Sequence, residues 1–304
     1  MIRYLKNQEI DKLEWDTCLK NSHNGLFYAS SYYLDTMCDD WHALVDGHYE
    51  SIFPLPIRQK YGIPYIYAPA FTQQLGLFSP KKPEQQVLQQ YLHAIPGKYK
   101  VIDLKLNGFN IAPAGVNVKS RHNYLLKLNE DYRIVSEAYH RNHKTNLRKS
   151  FTFENRVVKD LEPEEVVKNF ILDMPVQTVM GVKQDHFNRL IKVAKVLNKA
   201  GEAFTRGITT REGKVISSGL FIKYKKRITF LIGSTSAQGR AEFASWQLFD
   251  DVIREFSGND LILDFEGSDI DGVARFYKGF GAFPEIYHEI SIRKFPFNFM
   301  DKSW

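Results

Sequence analysis

The stretch between residues 261 and 282 constrains the fold of this chain more than any other. It reads LILDFEGSDIDGVARFYKGFGA and divides into an apolar strand (261–265), a polar loop (266–271), a short helix (272–278) and a glycine-bearing turn. A short apolar strand that ends in acid is typical of a central strand that opens at a site. Asp271 is placed to cap the helix through its side-chain oxygen.

The helix and turn resemble the C-terminal motif of the GNAT acyltransferase superfamily. In that motif a small residue is followed by an aromatic or aliphatic residue and a tyrosine, and a glycine follows four residues later. Tyr277 and Gly281 match the tyrosine and the glycine. Ala282 stands where a phenylalanine is usual, and Phe283 comes one place later. The resemblance implies a GNAT-type acyltransferase.

The wider stretch is more similar still to the Fem-type (FemAB-like) branch, whose members carry two GNAT-like domains in one chain. The similarity includes the acid-ended strand, Gly267, and the run from Phe276 to Gly281. In the aminoacyl-tRNA-dependent Fem enzymes a lysine usually follows the phenylalanine that Phe276 matches. Tyr277 occupies that place here and Lys278 comes next, which disfavours tRNA-dependent chemistry.

The order of predicted elements repeats once along the chain. A glycine-bearing turn leads to a strand at 50–57 and again at 215–222, and a helix then precedes a strand with an internal acid, Asp103 or Asp264. The repeat fits the duplicated architecture that the resemblance implies. We therefore expect an α/β (α+β) protein of two tandem GNAT-like domains, residues 1–130 and 131–304. Each has a mixed, mostly antiparallel sheet flanked by helices.

Two segments invite more local predictions. Pro54 and Pro56 lie two apart in the strand at 49–57, so both missing N–H groups face one side and predict an edge strand. The alternative is a splayed strand of the kind that binds acyl-CoA in GNAT sheets.

The pattern of residues 132–150 predicts one basic helix, in which Arg141, Lys144 and Arg148 form a cationic face. That face is either solvated or a binding site for RNA phosphate or an anionic acceptor.

A candidate phosphate-binding loop spans residues 236–241, SAQGRA. GNAT enzymes hold the CoA pyrophosphate with a loop of the pattern Gln/Arg-x-x-Gly-x-Gly/Ala between a strand and a helix. Gly239 and Ala241 match this pattern, and Ser236 replaces its first residue. Small residues let backbone N–H groups approach an anion, and the following helix adds its positive end. Arg240 could contact a phosphate, and the strand that leads into the loop ends near Gly233. An ordinary strand-to-helix loop is the alternative interpretation.

The predicted catalytic residues are Tyr277 and Glu266. The resemblance implies that Tyr277 protonates the departing CoA sulfur, because a tyrosine with an ordinary pKa of about 10 remains a proton donor at neutral pH. Glu266, just past the strand end, is the candidate base for an amine nucleophile, and a water chain is an alternative. Asp264 is expected to point inward or pair with a cation. The alternative role for Tyr277 is a core residue whose hydroxyl bonds to backbone.

Composition sets wider bounds on function. The 304 residues carry 41 Lys and Arg against 35 Asp and Glu, a net charge of +6 that favours anionic partners, although a solvated lysine-rich surface explains it equally well. Cys18 and Cys38 have no metal-ligand spacing, which favours a thiol-reduced compartment and predicts no metal. The N-terminus lacks signal-peptide features and no apolar run approaches the length of a membrane span, so a cytoplasmic location is expected.

Together these patterns predict an N-acyltransferase that moves an acyl group from an acyl-CoA such as acetyl-CoA to a small-molecule or peptide amine. The second domain would hold the donor, while the first, which shows no phosphate loop, would shape the acceptor cleft. One alternative is a Fem-type enzyme that transfers an amino acid from tRNA to a cell-wall precursor. Another is a degenerate GNAT fold that binds without turnover. The sequence leaves the oligomeric state open.

Overall fold

The computed structural model describes residues 1–82, 84–173, 181–267, 269–295 and 297. Their contacts divide the chain into two compact units. Unit 1 comprises residues 1–122 and 286–304, and unit 2 comprises residues 123–285. The last part of the chain therefore belongs to unit 1, whereas the sequence predicts a division near residue 130.

Unit 1 is built on a mixed sheet. Its strands are β1 (Ile2–Leu5), β2 (Asp40–Asp46), β3 (Ser51–Lys60), β4 (Ile63–Ile66) and β5 (Val101–Lys105), with part of β12 (Phe283–Arg293) beyond β5. Neighbouring strands pair antiparallel except β4 and β5, which are parallel at Ile66 and Ile102. Apolar side chains from β3, β5 and a helix meet in the core of this unit, which includes Phe53, Tyr91 and Ile102.

Three helices accompany the sheet of unit 1: α1 (Lys12–Asn21), α2 (Ser31–Met37) and α3 (Gln85–Ala94). Side-chain oxygens cap the first two, because Asp11 accepts the amides of Leu13 and Glu14, and Ser30 accepts that of Tyr33.

Unit 2 contains a second mixed sheet. Its strands are part of β6 (Asn117–Lys127), β7 (Arg156–Val158), β8 (Ala203–Thr209), β9 (Val215–Tyr224), β10 (Arg227–Thr235) and β11 (Ile262–Gly267). They lie in the order β6-β11-β10-β9-β8-β7. All neighbours are antiparallel except β10 and β11, which are parallel. β9 and β10 form a hairpin around Lys225 and Lys226.

The helices of unit 2 are α4 (Tyr132–Glu137), α5 (Arg141–Ser150), α6 (Pro163–Asp173), α7 (Gln184–Lys199), α8 (Ala237–Ala241), α9 (Ala244–Phe256) and α10 (Asp271–Gly279). An aromatic cluster joins α9 and α10 to the sheet. Phe249, Phe265 and Phe280 are buried in it, with ring centroids 5.1 to 6.0 Å apart. This packing fixes α10, which carries Tyr277.

The prediction that the proline-bearing strand is an edge strand is wrong. β3 pairs with β2 along residues 51–57 and with β4 from Ile57 onward. The prolines fall before the β4 ladder begins, where Tyr67 donates its amide to the Pro56 carbonyl. The missing N–H groups are therefore tolerated inside the sheet, because β3 is not paired with β4 at the two prolines.

Two other local predictions are corrected. Residues 132–150 form two helices, because the His140 amide bonds to the Gly279 carbonyl at 2.9 Å instead of continuing the first helix. The buried Tyr139 hydroxyl also bonds to Asp250 at 3.2 Å. Asp271 does not cap α10, since the cap position is Ile270 and Asp271 is the first helical residue.

The repeat predicted from the sequence is present in the strand pairings. The order β2-β3-β4-β5 in unit 1 matches β8-β9-β10-β11 in unit 2, with the parallel pair in the same place. Asp103 and Asp264 lie on the corresponding strands β5 and β11. Each unit has the predicted mixed, mostly antiparallel sheet flanked by helices.

Candidate functional site

The candidate site begins where β10 and β11 separate. Their parallel pairing runs from Arg227 with Ile262 to Thr229 with Asp264 and then ends. Just beyond, the register of β10 against β9 shifts between Phe230 and Ile232, which marks a β-bulge. Where the two strands separate, the N–H and C=O groups of β10 that face β11 no longer pair with that strand. An extended ligand can form hydrogen bonds with such groups.

A cavity of about 170 Å³ lies beside this opening. Strands β9 and β10 form one wall, and helices α9 and α10 form the other. It is lined by Ser217, Ser218, Phe230, Gly233, Ser234, Thr235, Ser245, Leu248, Phe249, Phe276 and Tyr277. Gly233 and Tyr277, both predicted site residues, are thus brought together. Thr235 lies nearest the predicted phosphate loop, which starts at the next residue.

The cavity has a polar end and an aromatic end. Near the loop, hydroxyls form a chain, in which Ser217 Oγ lies 2.9 Å from Thr235 Oγ1 and Thr235 Oγ1 lies 2.8 Å from Ser245 Oγ. At the other end the Phe230 ring lies over two facing glycines, Gly219 and Gly233. A Cβ on either glycine would overlap that ring, so the aromatic floor depends on both.

Tyr277 is buried at 9% exposure on α10. Its ring stacks on Phe265 with centroids 4.8 Å apart. Among the described residues its hydroxyl has no hydrogen-bond partner. Burial raises the pKa of Tyr277, and the Glu266 and Asp264 carboxylates raise it further. The phenol therefore holds its proton at neutral pH.

The two carboxylates of β11 differ in their surroundings. Asp264 is 1% exposed and pairs with Arg227, whose guanidinium lies 3.2 Å from it and 3.1 Å from Glu285. The inward orientation predicted for Asp264 is confirmed. Burial raises the pKa of Asp264, and Arg227 opposes that shift. Glu266 is half-buried and takes a left-handed backbone with φ of 59°, held by its amide bond to Asp264 Oδ1 at 2.8 Å.

The strained backbone at Glu266 lies within β11, where the register against β6 shifts between Asp264 and Gly267. Left-handed geometry at a residue with a Cβ costs on the order of 1 kcal/mol and persists where the surroundings enforce it. Its side chain is close enough to Tyr277 to raise the pKa of the phenol. The predicted acid and base therefore interact electrostatically.

The predicted phosphate loop is folded as a short helix, α8. Ser236 caps it by accepting the Gly239 amide at 3.1 Å, and its carbonyl accepts the Arg240 amide at 2.9 Å. Gly239 is buried, and a Cβ there would overlap the Ile216 carbonyl. The small residue at 239 therefore has a packing reason of its own. Ala241 and Arg240 are exposed on the outer side.

Three cationic side chains lie on or near α8. The Arg240 guanidinium bonds to the Thr235 carbonyl, Lys214 Nζ donates to Gln238 at 3.1 Å, and Lys149 Nζ lies 5.5 Å from the centre of the Phe243 ring. Phe243 has a φ of 56° and separates α8 from α9. Of these cations, Lys149 lies at Phe243, the residue before α9, where the helix has its positive end. The neighbouring Glu242 carboxylate accepts from Asn155 and Gln238.

Several residues of this site were not found from the sequence. The hydroxyl chain of Ser217, Thr235 and Ser245 joins two strands and a helix, and no spacing along the chain signals it. His143 is another such residue. Its Nε2 bonds to the Phe276 carbonyl at 2.8 Å, and its ring packs against Gly279, so it holds the end of α10 that carries Tyr277.

The predicted cationic face lies on α5. Arg141 and Arg148 are exposed, and Lys144 is half-buried with its ammonium bonded to the Glu137 carbonyl at 2.6 Å. These residues do not line the cavity.

Among the described residues, no group of three or more His, Cys, Asp or Glu side chains could hold a metal ion.

Within the described ranges, none of the helices combines the length and apolar character needed to cross a bilayer.

Comparisons with known proteins give a fold and no sequence relative. No protein-family model matches the chain, and a search of curated proteins finds no match. Among solved structures, FemX is similar with a TM-score of 0.62 at 12% identity, over 94% of this chain and 96% of that one. L-PGS from Bacillus licheniformis has a TM-score of 0.55 at 10% identity, over 94% and 92%.

A third similar structure is a tandem GNAT protein from the clavulanic acid biosynthesis pathway. It has a TM-score of 0.51 at 9% identity, over 96% of this chain and 98% of that one. Each of these matches covers almost the whole of both chains. The chain therefore has a GNAT-type fold in its Fem-like, two-domain form, as the motif in residues 274–281 predicts.

Proposed function

We propose that this protein is an N-acyltransferase that moves an acyl group from an acyl-CoA thioester to an amine. The observation that carries the proposal is the cavity beside the separating strands β10 and β11, with Tyr277 in its wall and the predicted phosphate loop following the strand that lines it. Fold alone does not determine function, so the proposal rests on the chemistry of these residues.

The donor would run along β10 from α8 toward the bulge at Phe230. Its phosphates would lie at the start of α9, near Arg240, Lys149 and Lys214. The hydroxyl chain suits the polar part of the donor arm, and the aromatic end suits its apolar part. In this arrangement the thioester lies near Tyr277.

A residue can then be assigned to each proton transfer of the reaction. The amine nitrogen attacks the thioester carbonyl carbon, the carbon–sulfur bond breaks, and the sulfur takes a proton. Tyr277 would supply that proton from a phenol that burial keeps protonated. Glu266 would accept the proton that the amine loses and release it to solvent, and the phenol would regain a proton from solvent before the next turnover. The products are an amide and the free thiol.

An aminoacyl-tRNA donor is the second candidate, and the exposed cations of α5 favour it. Its discriminating property is turnover that requires charged tRNA and binding that weakens steeply with salt. A fold that binds without turnover is the third. It predicts that Tyr277→Phe leaves the activity in cells unchanged.

The test is calorimetric titration of the purified protein with acetyl-CoA, compared with Arg240→Ala. Arg133→Ala is the matched control, because Arg133 is an exposed arginine that pairs only within its own helix, with Glu137. Gly239 is left intact, since its Cβ would overlap Ile216.

Saturable binding that weakens in Arg240→Ala and not in Arg133→Ala supports a CoA site at α8 and justifies a screen of amine acceptors. Absence of binding at millimolar acetyl-CoA overturns the acyl-CoA proposal. The same titration with aminoacyl-tRNA then decides the second candidate.

A further inference from the structure

One face of α5 continues into an exposed aromatic turn. Arg141, Lys144, Arg148 and Phe151 follow one another at i, i+3, i+7 and i+10, which places them on one side of a helix. The backbone of Phe151 is still right-handed helical, with φ of −72° and ψ of −12°, so the row is unbroken. α5 itself contains four cationic residues and no acidic one.

The end of this row is apolar and exposed. Phe151 is 52% exposed and Phe153 is 42% exposed, both on the 3-10 turn Phe151–Phe153. Exposed single apolar residues are ordinary. Here two exposed phenyl groups lie within a single turn that directly follows the cationic row.

The turn is held firmly in this position. Thr152 Oγ1 bonds to the Lys149 carbonyl at 2.8 Å, and Asn155 Nδ2 bonds to Glu242 at 2.9 Å. The Gln247 side chain donates to the Asn155 carbonyl at 3.2 Å. The two acids shown at this segment both have partners, since Glu154 pairs with Arg211 and Glu242 accepts from Asn155. The phenyl groups are therefore presented on an ordered scaffold whose local charge is positive.

We propose that the α5 face and the Phe151–Phe153 turn form a docking surface for an anionic phospholipid bilayer. The cations contact phosphate head groups, and the two phenyl rings enter the boundary of the acyl chains. Interfacial amphipathic segments bind membranes in the same way, with basic residues at the depth of the head groups and aromatic residues deeper in the interface.

The cationic and aromatic side chains occupy separate parts of this surface. This arrangement favours a bilayer over the other anionic partner, single-stranded RNA. Proteins that bind RNA single strands interleave stacking rings with the cations that track the backbone. On α5 the cations come first and both rings come last. None of these residues lines the cavity. The same cations also support the aminoacyl-tRNA alternative, and the test below separates a bilayer from transfer RNA.

The test is cosedimentation of the full chain with phosphatidylcholine vesicles, with and without a third of phosphatidylglycerol. Binding is expected only to the anionic vesicles, and it should weaken at high salt. Arg141→Gln with Arg148→Gln should lower the partition coefficient about thirtyfold, and Phe151→Ser with Phe153→Ser about tenfold or more.

Phe283→Ser is the matched control, because Phe283 is 40% exposed and lies far along the chain on β12. It should leave the partition coefficient unchanged, and thermal unfolding should show that every variant is folded. Equal binding to neutral and anionic vesicles, or insensitivity to both double variants, overturns the proposal. Binding of transfer RNA that both double variants abolish, without vesicle binding, overturns it in favour of RNA.

Discussion

The ring of Tyr277 lies almost parallel to that of Phe265, at an angle of 27° with centroids 4.8 Å apart. One residue is on α10 and the other on β11, directly after the buried Asp264. This contact fixes the phenol beside the point where β10 and β11 separate. It holds the ring by packing alone and leaves the hydroxyl available for a ligand.

Removing that hydroxyl should affect chemistry and spare the fold. Because the ring packs and the hydroxyl has no described partner, Tyr277→Phe should change the free energy of unfolding by less than about 1 kcal/mol. If Tyr277 is the general acid, kcat should fall by roughly 10²-fold or more. The measurements are steady-state kinetics with the acyl donor and denaturant unfolding.

Tyr124→Phe is the control for this change, since Tyr124 is a buried tyrosine of the same cluster, with its ring 6.1 Å from that of Tyr277. It should retain activity. A Tyr277→Phe protein with full kcat would exclude the general-acid role and favour a different proton source.

Two glycines of the same helix should respond in opposite directions to alanine. Gly279→Ala would drive a Cβ into the His143 ring, and such overpacking costs about 1–3 kcal/mol. Gly272 has no atom within 4 Å of its would-be Cβ, so Gly272→Ala should stabilise α10 by up to about 1 kcal/mol. Urea unfolding of both variants measures this difference. Equal effects would show that His143 moves aside freely.

Stability should depend on pH through His143. Burial lowers the pKa of its imidazole, although the bond to the Phe276 carbonyl opposes the shift. Below the ordinary value of about 6.5 the unfolded chain therefore binds a proton that the folded protein resists. The stability that neutral His143 contributes is complete above that pH and is lost as the pH falls toward the lowered folded value.

The measurement is the free energy of unfolding between pH 5 and pH 8 for the wild type and His143→Gln, in which the amide can still donate to Phe276. The free energy of unfolding should fall less on acidification in this variant than in the wild type. His42 also has a lowered pKa through burial, so His42→Gln should retain the part that belongs to His143. Identical slopes in the wild type and His143→Gln would contradict the prediction.

The buried pair of Asp264 and Arg227 should respond unequally to loss of either partner. Arg227→Met leaves the Asp264 carboxyl 1% exposed without its cation, and stranding a buried charge costs about 3–5 kcal/mol. Asp264→Asn leaves Arg227 paired with Glu285, and its side-chain oxygen can still accept the Glu266 amide, so the loss should be smaller. A double-mutant cycle in urea gives both values.

Protonation limits the cost in the first variant. Because burial raises the pKa of Asp264, the carboxyl of Arg227→Met can become neutral as the pH falls. The stability deficit of Arg227→Met relative to the wild type should therefore shrink on acidification. A deficit that is constant across pH would mean that Asp264 remains charged in the absence of Arg227.

The sequence by itself determined the elements and the fold class. Short apolar strands, amphipathic helices and the motif around Tyr277 are local patterns, because period and side-chain type are set by neighbours a few residues away. The inward orientation of Asp264 was also predictable, since an acid inside an apolar strand must be paired. The prediction for the segment after Asn129 was wrong because local propensity favours a continuous helix. The His140 amide instead donates to the carbonyl of Gly279, which lies 139 residues later.

Only the tertiary structure decided which side chains share the site. The hydroxyl chain of Ser217, Thr235 and Ser245, the glycine pair beneath Phe230, and the contact of His143 with Gly279 each join segments distant in sequence. Such contacts depend on strand register and helix packing, and neither leaves a periodic trace along the chain. The same reason explains α8, where Gly239 looks like a phosphate-loop glycine in the sequence and is also required by the approach of the Ile216 carbonyl.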